Sequence, residues 1–369
     1  MPTTMKLSAS RDTVLKPLQA VIGVVERRQT MPILGNVLLA AQENRLSVTA
    51  TDLEVELLAK AAVNVESPGE ITVPGRKLHD ICRALPEGAT MELQVSGERV
   101  TVKAARSRFT LSSLRAADFP TVEDITAQQT LTVGRQAFRQ LLDKTHFSMA
   151  QQDVRYYLNG LLLETDGATL RAVATDGHRL AMSQIQMSSP VERTEQVIVP
   201  RKGVLELQRL LDDEGDLELL LGSNHVRVQL GSSRFTSKLI DGRFPDYERV
   251  VPKDTQHVIT AERGLLRQAL QRTAILSNEK YRGVRLHLGE NSLTIQANNP
   301  EQEEAEEALE VEYGGTPMEI GFNVNYLLDA LAAVDGEQVE MGLSDANSSC
   351  LIKRPATEDT RFVVMPMRL

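Results

Sequence analysis

Three stretches decide the fold when laid side by side: GNVLLAAQENRLSVTATDLEVE (35–56), NGLLLETDGATLRAVATDGHRL (159–180) and RGVRLHLGENSLTIQANNPEQE (282–303). Gly35, Gly160 and Gly283 lie 125 and 123 residues apart, and Leu46, Leu170 and Leu293 lie 124 and 123 apart. The offset returns downstream: VPGRK (73–77) recurs as VPRK (199–202). SRF at 107–109 recurs at 233–235 and, as TRF, at 360–362. A chain of 369 residues is three times 123, so one unit used three times accounts for all of it. The expected domains are 1–125, 126–253 and 254–369.

Each unit reads alike. A helical pattern opens it, as in SRDTVLKPLQAVIGVV, where Val14, Leu15, Leu18, Val21, Ile22 and Val25 share one face. Two alternating strands joined by a polar turn (QENR, TDGA, GENS) follow, then a second helix such as RKLHDICRALP, then another meander. Helices are expected over 10–28, 76–85, 134–147, 201–211, 262–276 and 323–334. Strand–helix–strand alternation is missing, so the fold class is α+β, with antiparallel sheets covered by helices on one face.

Composition narrows the class. Hydrophobic residues make up 41% and charged residues 25%, as in a soluble globular chain, while tryptophan is absent and the core must be aliphatic. Cys82 and Cys350 stand far apart, which argues against a disulfide framework and suits a reducing cytoplasm. No leader-type apolar segment opens the chain and no run of 18 apolar residues occurs, so membrane partners are not expected.

The ATDGHRL stretch (174–180) invites a catalytic reading through Asp176 and His178. The repeat argues otherwise, since the other units carry ATDLEVE and QANNPEQ there. Asp-Gly at a strand end serves turn geometry, and a turn lining a binding groove is the sharper reading. No phosphate loop, zinc-protease or nucleophile-elbow pattern is present. The six histidines are scattered without metal-ligand spacing. No cofactor and no metal are expected.

Net charge of −9 argues against nucleic acid at first sight, but the charge is unevenly placed. The six expected helices hold 16 Lys and Arg against 7 Asp and Glu, a balance of +9. The unit edges look complementary too. Arg99, Lys103, Arg106 and Arg108 lie in the first unit, and Glu301, Glu303, Glu304, Glu306 and Glu307 in the third. Such unlike edges join copies head to tail and make a ring when the rotation closes. With helices ~8–10 Å apart, six lining a ring leave a hole of ~10 Å and twelve leave ~28 Å. A duplex needs roughly 20 Å. One chain is too small to encircle DNA; two suffice.

Over its full length the chain resembles the bacterial DNA polymerase III β subunit family, the sliding clamps. The resemblance rests on LKPLQ, LPEGA, QDVRYYLNG, VATDGHRL, VIVPRKG, FTSKLIDGRFPDY, AILSNEK, NNPEQEEAEE, EIGFNV and VVMPMRL. It implies three clamp domains per chain, two helices from each lining a central hole, and a head-to-tail dimer of six domains. It implies a non-enzymatic processivity factor bound to double-stranded DNA without regard to sequence. A clamp loader would open the ring, and the DNA polymerase III α subunit, other polymerases and repair proteins would bring a clamp-binding peptide.

By the same resemblance the peptide groove comprises Leu158, Thr175, Gly177, His178, Arg179, Leu180, Pro245, Arg249, Val250, Asn323, Tyr326, Ser349, Val363, Val364, Met365, Pro366, Met367 and Arg368. Leu158, Leu180, Val250, Val364 and the methionines would form its apolar pocket, and His178, Arg179 and Arg368 would bond polar groups of the peptide. DNA contacts would be Arg28, Arg76, Gln152, Tyr156, Tyr157, Arg201 and Lys202, with the two tyrosines in the strand RYYLNGLLL. The dimer edge would set Lys77, Arg99, Phe109 and Leu111 against Ile275, Leu276, Glu301, Glu303 and Glu304. Glu248 departs from the family, which often has arginine there. The competing readings are a hydrolase at Asp176 and His178, with turnover lost in His178→Ala, and a monomeric peptide-binding scaffold.

Overall fold

Side-chain alternation builds the sheets. In the Arg45–Thr51 strand, Leu46, Val48 and Ala50 are fully buried on one face while Arg45 is exposed on the other. The partner strand Val55–Ala62 buries Leu57 and Ala59 in the same layer. The computed structural model describes residues 4–25, 31–122, 125–211 and 214–368. Among these, every strand pairing is antiparallel.

The chain divides into two compact units, Met1–Gln136 with Leu205–Leu239, and Ala137–Val204 with Ile240–Leu369. The first has a five-stranded sheet ending at the Ser107–Ser112 strand and an eight-stranded sheet. In the latter, Ser233–Lys238 of the second repeat adds to Val55–Ala62 of the first, with Phe235 opposite Leu57. The second unit follows the same plan. Its eight-stranded sheet joins Arg179–Gln186 to the tail strand Thr360–Val364, with Ala181 opposite Phe362, and its four-stranded sheet ends at Glu304–Glu310.

These joints explain why the compact units do not follow the repeats. Each joint commits a later strand of one repeat to the sheet of the repeat before it, so the second repeat is shared between the units. The repeated phenylalanine records the difference. Phe235 and Phe362, at joints, are 0% and 1% exposed, whereas Phe109, on the open edge, is only half-buried.

Six α-helices are described: α1 Arg11–Val21, α2 Gly75–Ala84, α3 Arg135–Asp143, α4 Arg201–Leu210, α5 Arg263–Thr273 and α6 Val324–Ala333. The expected helix 10–28 is shorter because Gly23 weakens it. The N–H groups of Val24 and Val25 turn back to the carbonyls of Val21 and Ile22 in i→i+3 bonds. Arg27 and Arg28 lie outside the described residues. The expected helix 134–147 stops early, with the Thr145 hydroxyl donating to the Leu141 carbonyl at 2.7 Å.

The basic helix residues are in part structural, which qualifies the charge argument. Each repeat's first helix opens with an arginine that turns to carbonyls at or just past the end of its second helix. Arg11 Nε donates to Cys82 O at 2.8 Å, Arg135 Nε to Asp216 O at 3.0 Å, and Arg263 to Gly336 O and Leu331 O at 2.7 and 3.1 Å. Arg209 serves the end of α1 through Gln19 O and Ala20 O. At Cys82, Leu331, Gln19 and Ala20 the charged donor satisfies a carbonyl in the last turn of a helix, which the helix end leaves orphaned, whereas Asp216 and Gly336 lie beyond their helices.

Phe235→Ala opens a cavity at a closed joint and is expected to cost about 3–5 kcal/mol in urea unfolding. Phe109→Ala, at the open edge, should cost the dilute single chain less.

Candidate functional site

In the second unit a cavity of about 190 Å³ opens beside the end of the Thr169–Thr175 strand. The 174–180 stretch builds its wall as a tight turn. Asp176 Oδ1 accepts from the backbone N–H of His178 at 2.9 Å and of Arg179 at 3.0 Å, and its Oδ2 accepts from Arg179 Nε at 3.2 Å. Gly177 has φ +88°, a conformation that disfavours other side chains, and a Cβ there would lie 2.9 Å from the Arg155 guanidinium. The Asp176 carboxylate is therefore spent on the turn, and His178 is exposed above it.

Of the expected groove residues, Leu158, Thr175, Gly177, His178, Arg179, Leu180, Pro245, Val250, Val363 and Met365 line the cavity. Arg155, Tyr157 and Tyr247 line it as well. Sequence pattern marks neither Arg155 nor Tyr247 as a wall residue, because loops bring them there. One expectation is corrected. Val364 is 1% exposed and packs in the third repeat's core, while its neighbour Val363 faces the cavity side, as strand alternation requires.

The remaining expected groove residues do not line this cavity. Arg249 is exposed and pairs with Asp246 at 2.8 Å. Asn323 caps α6 by accepting from the Asn325 N–H at 2.9 Å. Ser349 is half-buried before the Cys350–Lys353 strand. Pro366 and Met367 are half-buried, with the Met367 N–H donating to Gly321 O at 2.8 Å, and Arg368 is exposed.

Arg179 is committed inward rather than outward. Its guanidinium pairs with Asp176 and Asp329, donates to Phe147 O at 2.8 Å, and lies 4.5 Å from the Tyr326 ring centroid. It holds the wall together. Arg155 is the more exposed cation at the rim, clasped by Asp153 at 2.8 Å. The guanidinium beside it holds the Asp153 carboxyl down at about 2, with the Arg155 backbone N–H adding to the effect.

Tyr247, which lines the cavity, is fixed by a partly buried network. Arg171 donates to Glu164 at 2.5 Å and to the Tyr247 hydroxyl at 2.7 Å, and that hydroxyl donates to Glu164 at 2.6 Å. Gln196 also donates to Glu164. Burial first, then the Glu164 contact, raises the Tyr247 pKa far above its ordinary value. The phenol stays neutral and anchors the turn that carries Pro245 and Val250.

The expected DNA-contact residues are partly placed. Arg28 lies outside the described residues. Arg76 is half-buried, its guanidinium reaching Val25 O at 2.5 Å. Gln152 is exposed. Tyr156 and Tyr157 are not in a strand, as expected from the sequence, but in a 3₁₀ turn, Tyr156–Leu158, and the strand starts at Gly160. Tyr156 is 58% exposed and Tyr157 half-buried, their ring centroids 5.8 Å apart. Arg201 and Lys202 open α4, and burial, then the Arg179 charge, lowers the Arg201 pKa.

At the open edge of the first unit, Lys77, Arg99 and Leu111 line one cavity of about 430 Å³, with Phe109 on the same strand as Leu111. In the second unit Ile275 is 76% exposed, Leu276 half-buried, and Glu301, Glu303 and Glu304 exposed. No helix among the described residues is long and apolar enough to cross a membrane.

The family profiles of the DNA polymerase III beta subunit match in succession: the N-terminal domain over residues 5–123, the central domain over 132–246 and the C-terminal domain over 248–368. The chain is 55% identical to the beta sliding clamp of Pseudomonas aeruginosa and 53% identical to that of Escherichia coli K12, over 99% of this chain and all of each relative. A P. aeruginosa sliding clamp solved bound to griselimycin superposes with a TM-score of 0.96 at 55% identity, covering 99% of this chain and 100% of that one. A Caulobacter crescentus clamp does so at 0.94 and 40% identity with the same coverage.

Tyr247→Phe keeps the ring and removes the hydroxyl, leaving half-buried Arg171 and buried Glu164 short of a partner; unfolding should show a loss of about 1–3 kcal/mol. The Asp153 carboxyl is depressed, so its clasp contributes above the ordinary carboxylate pKa and is lost as pH falls through about 2. A carboxyl NMR titration should accordingly find Asp153 ionised throughout pH 5–8.

Proposed function

The chain belongs to the DNA polymerase III beta subunit family, and from that membership we propose that two copies close head to tail around duplex DNA and tether a polymerase to it. The observation that carries this reading is the repeated joint. Two joints within the chain set an SRF-type strand against the preceding repeat, and a third such pair is left open at the two ends. The register of the third follows. Leu57, Ala181 and Ala305 occupy one position, each opposite an aligned alanine, Ala50, Ala174 or Ala297. Since Phe235 faces Leu57 and Phe362 faces Ala181, Phe109 would face Ala305 of a second copy, and Arg108 would face Glu306. Six repeats then give the ring whose hole admits a duplex.

DNA held this way is retained by topology, with Arg and Lys meeting phosphate without reading bases. The cavity beside the 174–180 turn supplies the tether. Leu158, Leu180, Pro245, Val250, Val363 and Met365 offer an apolar slot for two or three side chains of a short peptide, with His178 and Arg155 at its rim. A polymerase fixed to a ring stays at high effective concentration near the primer end. The same slot would serve the polymerase α subunit, other polymerases and repair proteins in turn, and a loader would open the ring, in the cytoplasm where replication runs. The protein itself supplies no reaction.

Light scattering over a dilution series is expected to give twice the chain mass of 40.8 kDa. Arg108→Glu should shift the mass toward the single chain, and adding Glu306→Arg should restore the pair; a monomer at all concentrations would sink the ring. Val250→Glu and Met365→Glu should weaken a clamp-binding peptide about tenfold, or 1.4 kcal/mol, while leaving the mass unchanged.

A further inference from the structure

A second cavity, of about 470 Å³, lies in the first unit at the joint between the first two repeats. Arg45, Lys60 and Arg234 line it together with Leu58, Gln229 and Ser232, and no acidic residue does. It is on the sheet face opposite α1. That helix packs against the Val55–Ala62 and Arg45–Thr51 strands, whose Leu57, Ala59, Leu46 and Val48 are buried. Lys60 and Arg45 point the other way and are exposed, so no described element covers them. This face is therefore distinct from the helix-lined surface assigned to DNA, and from the cavity assigned to the tether.

Strand register places the three cations in a row. Ser47 faces Lys60 and Arg45 faces Ala62, which makes Arg45 a diagonal neighbour of Lys60. Arg234 faces Leu58 and is the diagonal neighbour of Lys60 from the other side. Diagonal neighbours on one face stand about 7–8 Å apart. Arg234 is balanced by buried Glu56 at 3.4 Å, but Arg45 and Lys60 form no ion pair among the described residues. The scaffold does not require them. The matching positions are Thr169 and Gln184 in the second repeat and Ser292 and Ala308 in the third, while an arginine like Arg234 recurs as Arg108 and Arg361.

We propose that this face docks an extended acidic segment of a partner protein, with carboxylates at alternate positions laid across Arg45, Lys60 and Arg234. In an extended chain, side chains on one face repeat every second residue, about 7 Å, which matches the spacing of the cations. Leu58 between them offers an apolar contact, and the backbone of Ser232, bonded to the Lys60 N–H at 3.1 Å, keeps the turn fixed. A chain of net charge −9 repels acidic partners at long range. A local row of positive charge selects where such a segment lands.

The test uses the full chain and two labelled peptides of equal composition, one alternating Glu and Ser over seven residues, the other with its four Glu in a block. Fluorescence anisotropy at low salt should show saturable binding, with the alternating peptide several-fold tighter. Lys60→Glu or Arg45→Glu should weaken it about tenfold, Lys60→Arg should retain it, and a peptide bound in the tether cavity should be unaffected. Equal affinity for the two peptides, indifference to Lys60→Glu, or no saturation would overturn the proposal. Inorganic tripolyphosphate binding more tightly than the alternating peptide would make this a phosphate site and overturn it too.

Discussion

Everything in this molecule depends on one interaction, the addition of an SRF-type strand to the sheet of the preceding repeat. It satisfies backbone donors and acceptors that an edge strand leaves open, and it closes a phenylalanine completely. Because the same joint is made twice within the chain, its geometry is the template for the third joint that we propose between copies. The Glu304–Glu310 strand shows how such a half survives unpaired. Its exposed row of Glu304, Glu306 and Glu310 discourages indiscriminate edge pairing and admits a basic partner.

Much of this was legible in the residues. The repeat offset and the period-2 runs identify the α+β unit, and three of the six helices fall within two residues of their expected limits. The misses have physical causes. The end of α1 depends on Gly23 and a tightening turn, which an apolar pattern running through Val24 and Val25 conceals. Tyr156 and Tyr157 look like strand residues by type, yet the chain makes a 3₁₀ turn first. Val364 and Val363 differ only in which way a strand faces.

Charge was the least legible property. A basic residue reads the same whether it meets solvent or a carbonyl, and the carbonyl partners of Arg11 lie 71 and 72 positions away. Counting helix cations therefore overstates what is available to DNA. Arg179 gives the same lesson in the candidate site, where a residue that lines the cavity also ties Asp176, Asp329 and Tyr326 together.

The tail strand Thr360–Val364 has two tasks, since it completes the joint with Arg179–Gln186 and supplies Val363 to the cavity. Occupancy and docking are consequently linked. A ligand that needs Val363 in place would favour the closed joint by mass action, about 2.7 kcal/mol at a hundred times its dissociation constant. On the proposed function, a tethered client would act as a brace on the joint that holds it.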